Sequence, residues 1–80
     1  MFEEVLKQLQ DLIRDYTGNS ELVINEDTMM VKDLELSSLD VINLMGSIED
    51  TFDISIEDED LANLLTVKDV VDYIISKKED

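Results

Sequence analysis

Apolar residues recur at the three-and-four spacing of an amphipathic helix in three separate parts of the chain. The first set contains Phe2, Val5, Leu6, Leu9, Leu12, Ile13 and Tyr16. The second set contains Leu39, Val41, Ile42, Leu44, Met45, Ile48 and Phe52. The third set contains Val67, Val70, Val71, Ile74 and Ile75. Because this spacing places each set on one face of a helix, the pattern predicts three main helices that share a core.

Turn and capping residues indicate where these helices begin and end. The run Thr17-Gly18-Asn19-Ser20 predicts the end of the first helix. Ser37 with Asp40, and Thr66 with Asp69, have the spacing of a capping box. In a capping box the hydroxyl accepts from an N–H three residues on, and the acidic side chain reaches back to the cap. The second and last helices are therefore expected to begin at these two positions.

The segments between the main helices are predicted to contain little regular structure. Periodicity weakens from residue 21 to 36, which predicts a long loop, and residues 57–65 have the pattern of a short helix. The alternation at residues 53–56 is too short, and has no partner strand, to build a sheet. We therefore predict one all-α domain over residues 1–80, with three main helices and a short one.

The charge balance is strongly acidic and limits the classes of partner. The chain has 21 acidic and 6 basic residues, a formal net charge of -15, and no Lys or Arg from residue 33 to 67. Nucleic acid would be repelled, since no basic stripe is present to contact phosphates. Because opposite charges attract, proteins with basic docking patches are the expected partners. The alternative interpretation of the charge is solubility alone.

Ser38 is the main candidate for chemistry. With Ser37 as the cap, Ser38 lies in the first turn of the second helix, where its hydroxyl is expected to be exposed. Unpaired N–H groups and the positive end of the helix dipole favour a phosphate ester at such a position. A serine in a first turn is by itself common and would be weak support for modification.

The surrounding sequence resembles the acyl carrier protein family over roughly the whole chain. The resemblance lies in DLELSSLD before and at the start of the second helix, in IEDTFDISIEDED at its exit, and in TVKDVVDYI near the end. It implies the family's helical bundle and a 4′-phosphopantetheine arm, derived from coenzyme A, esterified to Ser38. The terminal thiol of such an arm carries acyl groups as thioesters. Two departures are Ser37, where the family usually has aspartate, and Glu57, where proline is common.

The resemblance also implies partners and the residues that contact them. The partners are a phosphopantetheinyl transferase and the acyl-transfer and synthase enzymes of fatty-acid or related polyketide-type pathways. Asp40, Glu49, Asp50 and Asp53 match positions at or near those that face basic patches on such enzymes. Ile42 belongs either to the core or to the centre of this docking face. A monomeric, cytoplasmic carrier is expected.

Other classes of function fit the sequence less well. The chain has no cysteine or histidine, and no nucleophile is paired with a base, so an enzyme is not expected. The acid-rich residues 50–60 lack the spacing of an EF-hand, and no metal site is predicted. No apolar run approaches the roughly 20 residues that span a bilayer. Two alternatives remain, an acidic docking module that is not modified and an aminoacyl carrier.

Overall fold

The computed structural model describes residues 1–79, which form four helices. They are α1 (Phe2–Thr17), α2 (Ser38–Phe52), α3 (Asp58–Leu61) and α4 (Val67–Glu79). The all-α prediction of three main helices and one short helix is confirmed, although α3 is shorter than the segment from which it was predicted. Among residues 1–79, no helix combines the length and apolar character needed to cross a membrane.

The core lies where the apolar faces of the three long helices meet, and α1 contacts both α2 and α4. Its completely buried aliphatic side chains are Leu9, Ile13, Leu44, Ile48, Val67, Val70, Val71 and Ile74. Burial of one such side chain stabilises the fold by about 1.5–3 kcal/mol. The core therefore fixes the direction of α2, the helix that begins at the candidate serine.

The buried face of α2 is narrower than the sequence pattern predicts. Met45 is buried, but Leu39 and Ile42 are 65% and 55% exposed. The expectation that Leu39 belongs to the apolar face was therefore wrong. Because α2 packs on its neighbours along one stripe only, Leu39 and Ile42 remain on the surface.

The ends of α1 and α2 are closed by specific hydrogen bonds. Gly18 has a φ of 73°, and its N–H donates to the carbonyl of Arg14 at 2.9 Å, as in a left-handed helix cap. No basic residue lies in the last turn of α2. Lys78 of α4 instead donates from Nζ to the carbonyl of Phe52 at 3.0 Å, which places a positive charge at that end.

The loop between α1 and α2 is joined to the start of α4 through backbone groups. The N–H of Met30 donates to the carbonyl of Leu65, and the N–H of Val67 donates to the carbonyl of Thr28, each at 2.9 Å. These bonds flank an isolated antiparallel bridge between Met29 and Thr66. The loop therefore reaches Ser37 from a fixed position against the start of α4.

Candidate functional site

Ser37 and Asp40 form the predicted capping box at the start of α2. The backbone N–H of Asp40 donates to Ser37 Oγ at 3.2 Å, and the N–H of Ser37 donates to Asp40 Oδ2 at 3.1 Å. Ser37 has extended backbone angles, with φ −78° and ψ 170°, so it is the cap and not a helical residue. Ser38 is consequently the first residue of the helix, and its hydroxyl is not used for capping.

Ser38 lies at the mouth of an apolar groove. Its side chain is exposed, as the sequence indicates. The groove has a volume of about 260 Å³ and is lined by Val31, Ser38, Val41, Ile42, Leu61 and Ala62. The groove was not predictable from the sequence, because Val31 comes from the long loop, Leu61 from α3 and Ala62 from the residue after it.

These surroundings fit a phosphate-linked arm. Ser38 offers the oxygen for an ester, and the positive end of the 15-residue helix α2 favours an anion beside it. The groove offers apolar walls on which methylene groups could pack. The residues present therefore match the group that the sequence resemblance implies.

A second side chain reaches Asp40 from α1. The Tyr16 hydroxyl donates to Asp40 Oδ1 at 3.1 Å. The backbone N–H of Ser37 holds the pKa of Asp40 below its usual range, with further contributions from the Ser37 side chain and the Tyr16 hydroxyl. The apolar spacing predicts that Tyr16 lies on the apolar face of the first helix, but 37% of the Tyr16 surface is exposed. Asp40 therefore links the end of α1 to the entrance of α2.

The predicted docking residues differ in their exposure and in the bonds that they make within the fold. Ile42 lines the groove, whereas Asp40 lies on the side that meets α1. Asp50 is exposed on α2, and Asp53 is exposed just beyond it, with a φ of 56°. Glu49 is half-buried, and its Oε2 accepts from the backbone N–H of Ile56 at 3.0 Å.

The short helix that forms one wall of the groove is held by α4. The Tyr73 hydroxyl donates to Asp60 Oδ2 at 2.7 Å, and the N–H of Glu57 donates to the same hydroxyl at 3.4 Å. Burial of the phenol raises the pKa of Tyr73, and the bond to Asp60 adds to this. Since Asp60 precedes Leu61, these bonds help to set the position of the groove wall.

The acidic side chains of the described residues do not form a metal centre. Within residues 1–79, no group of three or more acidic side chains is arranged as ligands around a common point. The one ion pair found among the same residues joins Arg14 to Asp11 at 3.9 Å, on α1. The acids of α2 are thus not paired with bases in the described part of the chain.

Comparison with known proteins gives consistent matches over most of the chain. A family described as "Phosphopantetheine attachment site" matches residues 7–74. The acyl carrier protein of Syntrophobacter fumaroxidans is 37% identical over 71 residues, covering 89% of this chain and 88% of the relative. The meromycolate extension acyl carrier protein of Mycolicibacterium smegmatis is 36% identical over 78 residues, covering 98% of this chain and 79% of that protein.

The fold is also found among solved structures. The crystal structure of an acyl carrier protein from Thermotoga maritima superimposes with a TM-score of 0.84 and 29% sequence identity. The match covers 98% of this chain and 91% of that one. The similarity therefore includes the long loop and the short helix as well as the three main helices.

Proposed function

Since this chain belongs to the acyl carrier protein family and contains its phosphopantetheine attachment domain, we propose that Ser38 is the residue that bears the arm. We further propose that the protein carries acyl groups for enzymes of fatty-acid or polyketide-type biosynthesis. Members of this family are carriers and not enzymes. The observation that supports the assignment of Ser38 is its exposed position at the first residue of α2, beside the apolar groove.

The chemistry required of Ser38 is the formation of one phosphate ester. Its oxygen bonds to the phosphorus of coenzyme A that bears the pantetheine, and adenosine 3′,5′-bisphosphate leaves. The hydroxyl proton would pass to a base that the transferase supplies. When bound, the arm supplies a thiol on which acyl groups are held as thioesters. Tethering keeps the cargo at high effective concentration for successive enzymes.

The surface of α2 supports the proposal of docking to basic enzymes. Ile42 would contact an apolar surface of the partner beside Ser38, and Asp50 and Asp53 would face basic side chains. Asp40 and Glu49 would contribute charge while also bonding within the fold. No Lys or Arg from residue 33 to 67 competes for these carboxylates. Complementary charge of this kind mainly raises the rate of encounter.

Intact-protein mass spectrometry tests the proposed attachment. The native chain is incubated with coenzyme A and a phosphopantetheinyl transferase of broad specificity. We expect a mass increase equal to one phosphopantetheine, located by fragmentation on the peptide that contains Ser38. An increase located on another residue would contradict the site. No increase with several transferases would instead favour an acidic docking module that is not modified.

Replacing Ser37 by aspartate is expected to speed this modification. Aspartate caps a helix as well as serine does, and it adds a negative charge at the favourable end of the dipole. One extra charge contact with a transferase contributes about 0.5–1 kcal/mol, so kcat/KM should rise a few-fold. The control is Ser37→Asn, which keeps the cap without the charge. If Ser37→Asp and Ser37→Asn load at the native rate, residue 37 does not limit recognition.

A further inference from the structure

The carboxylate of Asp40 accepts hydrogen bonds from two different elements. Oδ1 accepts from the hydroxyl of Tyr16, near the end of α1, and Oδ2 accepts from the backbone N–H of Ser37, both at 3.1 Å. Ser38 lies between Ser37 and Asp40 in the chain. The first turn of α2, which carries the candidate serine, is therefore tied to α1 through one carboxylate.

The bond between Tyr16 and Asp40 supports a turn of α2 that has few other contacts with the core. Ser37, Ser38 and Leu39 are all exposed, and the first completely buried residue of α2 is Leu44. Hydrogen bonds at an exposed helix end compete with water, and terminal turns fray. A second donor on Asp40 restricts the rotation of its side chain and so supports the bond to Ser37.

We propose that Tyr16 is a positioning residue for the modification of Ser38. Its hydroxyl holds the Asp40 carboxylate in the capping geometry and keeps the first turn of α2 in the form that a transferase binds. This inference rests on the proposed function, namely that Ser38 bears the arm. The Tyr16 hydroxyl is bonded to Asp40, so it would act on Ser38 only through that carboxylate.

The test is the rate of loading of Tyr16→Phe, which keeps the ring and removes only the hydroxyl. We expect kcat/KM to fall about threefold to tenfold, the range that corresponds to one hydrogen bond of ordinary strength. The effect should lie in KM, with kcat nearly unchanged, because the first turn must then be ordered during binding. Melting temperatures verify that each variant is folded under the assay conditions.

Two comparisons separate positioning from a general loosening of α1. Thr17→Val removes the neighbouring hydroxyl, whose contacts are with Arg14 and Asn19 and not with α2, and it should load at the native rate. In an Asp40→Ala background, Tyr16→Phe should change kcat/KM by less than about twofold, because the acceptor is already missing.

The results that would contradict the role of Tyr16 differ from the result that would contradict the proposed function. With a native chain that is loaded, three results would each overturn the role of Tyr16. They are native loading by Tyr16→Phe, an equal loss of kcat/KM in Thr17→Val, and an undiminished effect of Tyr16→Phe on kcat/KM in the Asp40→Ala background. If the native chain is not loaded at all, the proposed function fails, and the role of Tyr16 fails with it.

Discussion

A chain carrying Ser38→Ala is expected to fold as the native chain does and to gain no phosphopantetheine. The hydroxyl of Ser38 is not part of the capping box, which is made by Ser37 and Asp40. Alanine also has a higher helix propensity than serine, so the free energy of unfolding should stay the same or rise by a few tenths of a kcal/mol. The variant thus removes the ester oxygen without disturbing its support.

The measurement is intact mass after prolonged incubation with coenzyme A and transferase, together with a thermal melt followed by circular dichroism. Ser47→Ala is the matched control, because Ser47 is another serine of α2 and lies more than two turns beyond the cap. It should be loaded as the native chain is. Full loading of Ser38→Ala would exclude Ser38 as the attachment residue.

Ile48→Ala is expected to remove most of the stability of the fold. The Ile48 side chain is completely buried, and truncating such a residue costs about 2–5 kcal/mol because a cavity remains. Small domains have a free energy of unfolding of roughly 5–15 kcal/mol, and one of 80 residues is expected near the lower end. The melting temperature should fall by about 10 °C or more. Urea denaturation followed by circular dichroism measures the loss directly.

The same substitution at Ile42 provides the control on the same helix. Ile42 is 55% exposed, so Ile42→Ala should change the free energy of unfolding by no more than about 0.5 kcal/mol. On the proposed function it should nevertheless weaken binding to partner enzymes, since Ile42 lines the groove beside Ser38. If Ile42→Ala destabilised the fold as much as Ile48→Ala, the side of α2 that faces the core would have been misassigned.

The helices were predictable because local signals define them. Apolar spacing and capping residues act over three or four positions, and they predicted the start of α2 and the confirmed all-α fold. The position of the long loop was not predictable in this way. Two of the bonds that hold it join backbone groups of Met30 to Leu65 and of Val67 to Thr28, and backbone groups carry no sequence signature.

Part of the candidate site was also predictable from signals in the sequence. Family resemblance indicates Ser38, and the capping box indicates Ser37 and Asp40. Tyr16 was missed as a partner of Asp40, because periodicity describes a helix face and not a hydroxyl that bonds to another helix. The exposure of Leu39 also depends on which side of α2 its neighbours cover, and the pattern within α2 does not contain this information.

The bridge between Met29 and Thr66 has a consequence for the order of folding events. Helices form from neighbouring residues within about a microsecond, whereas a contact between distant segments requires closure of the whole intervening chain. The loop that precedes α2 can complete its bonds only after the start of α4 has arrived. The loop that leads into α2 is therefore expected to reach its final position late on the folding pathway, after the helices have formed.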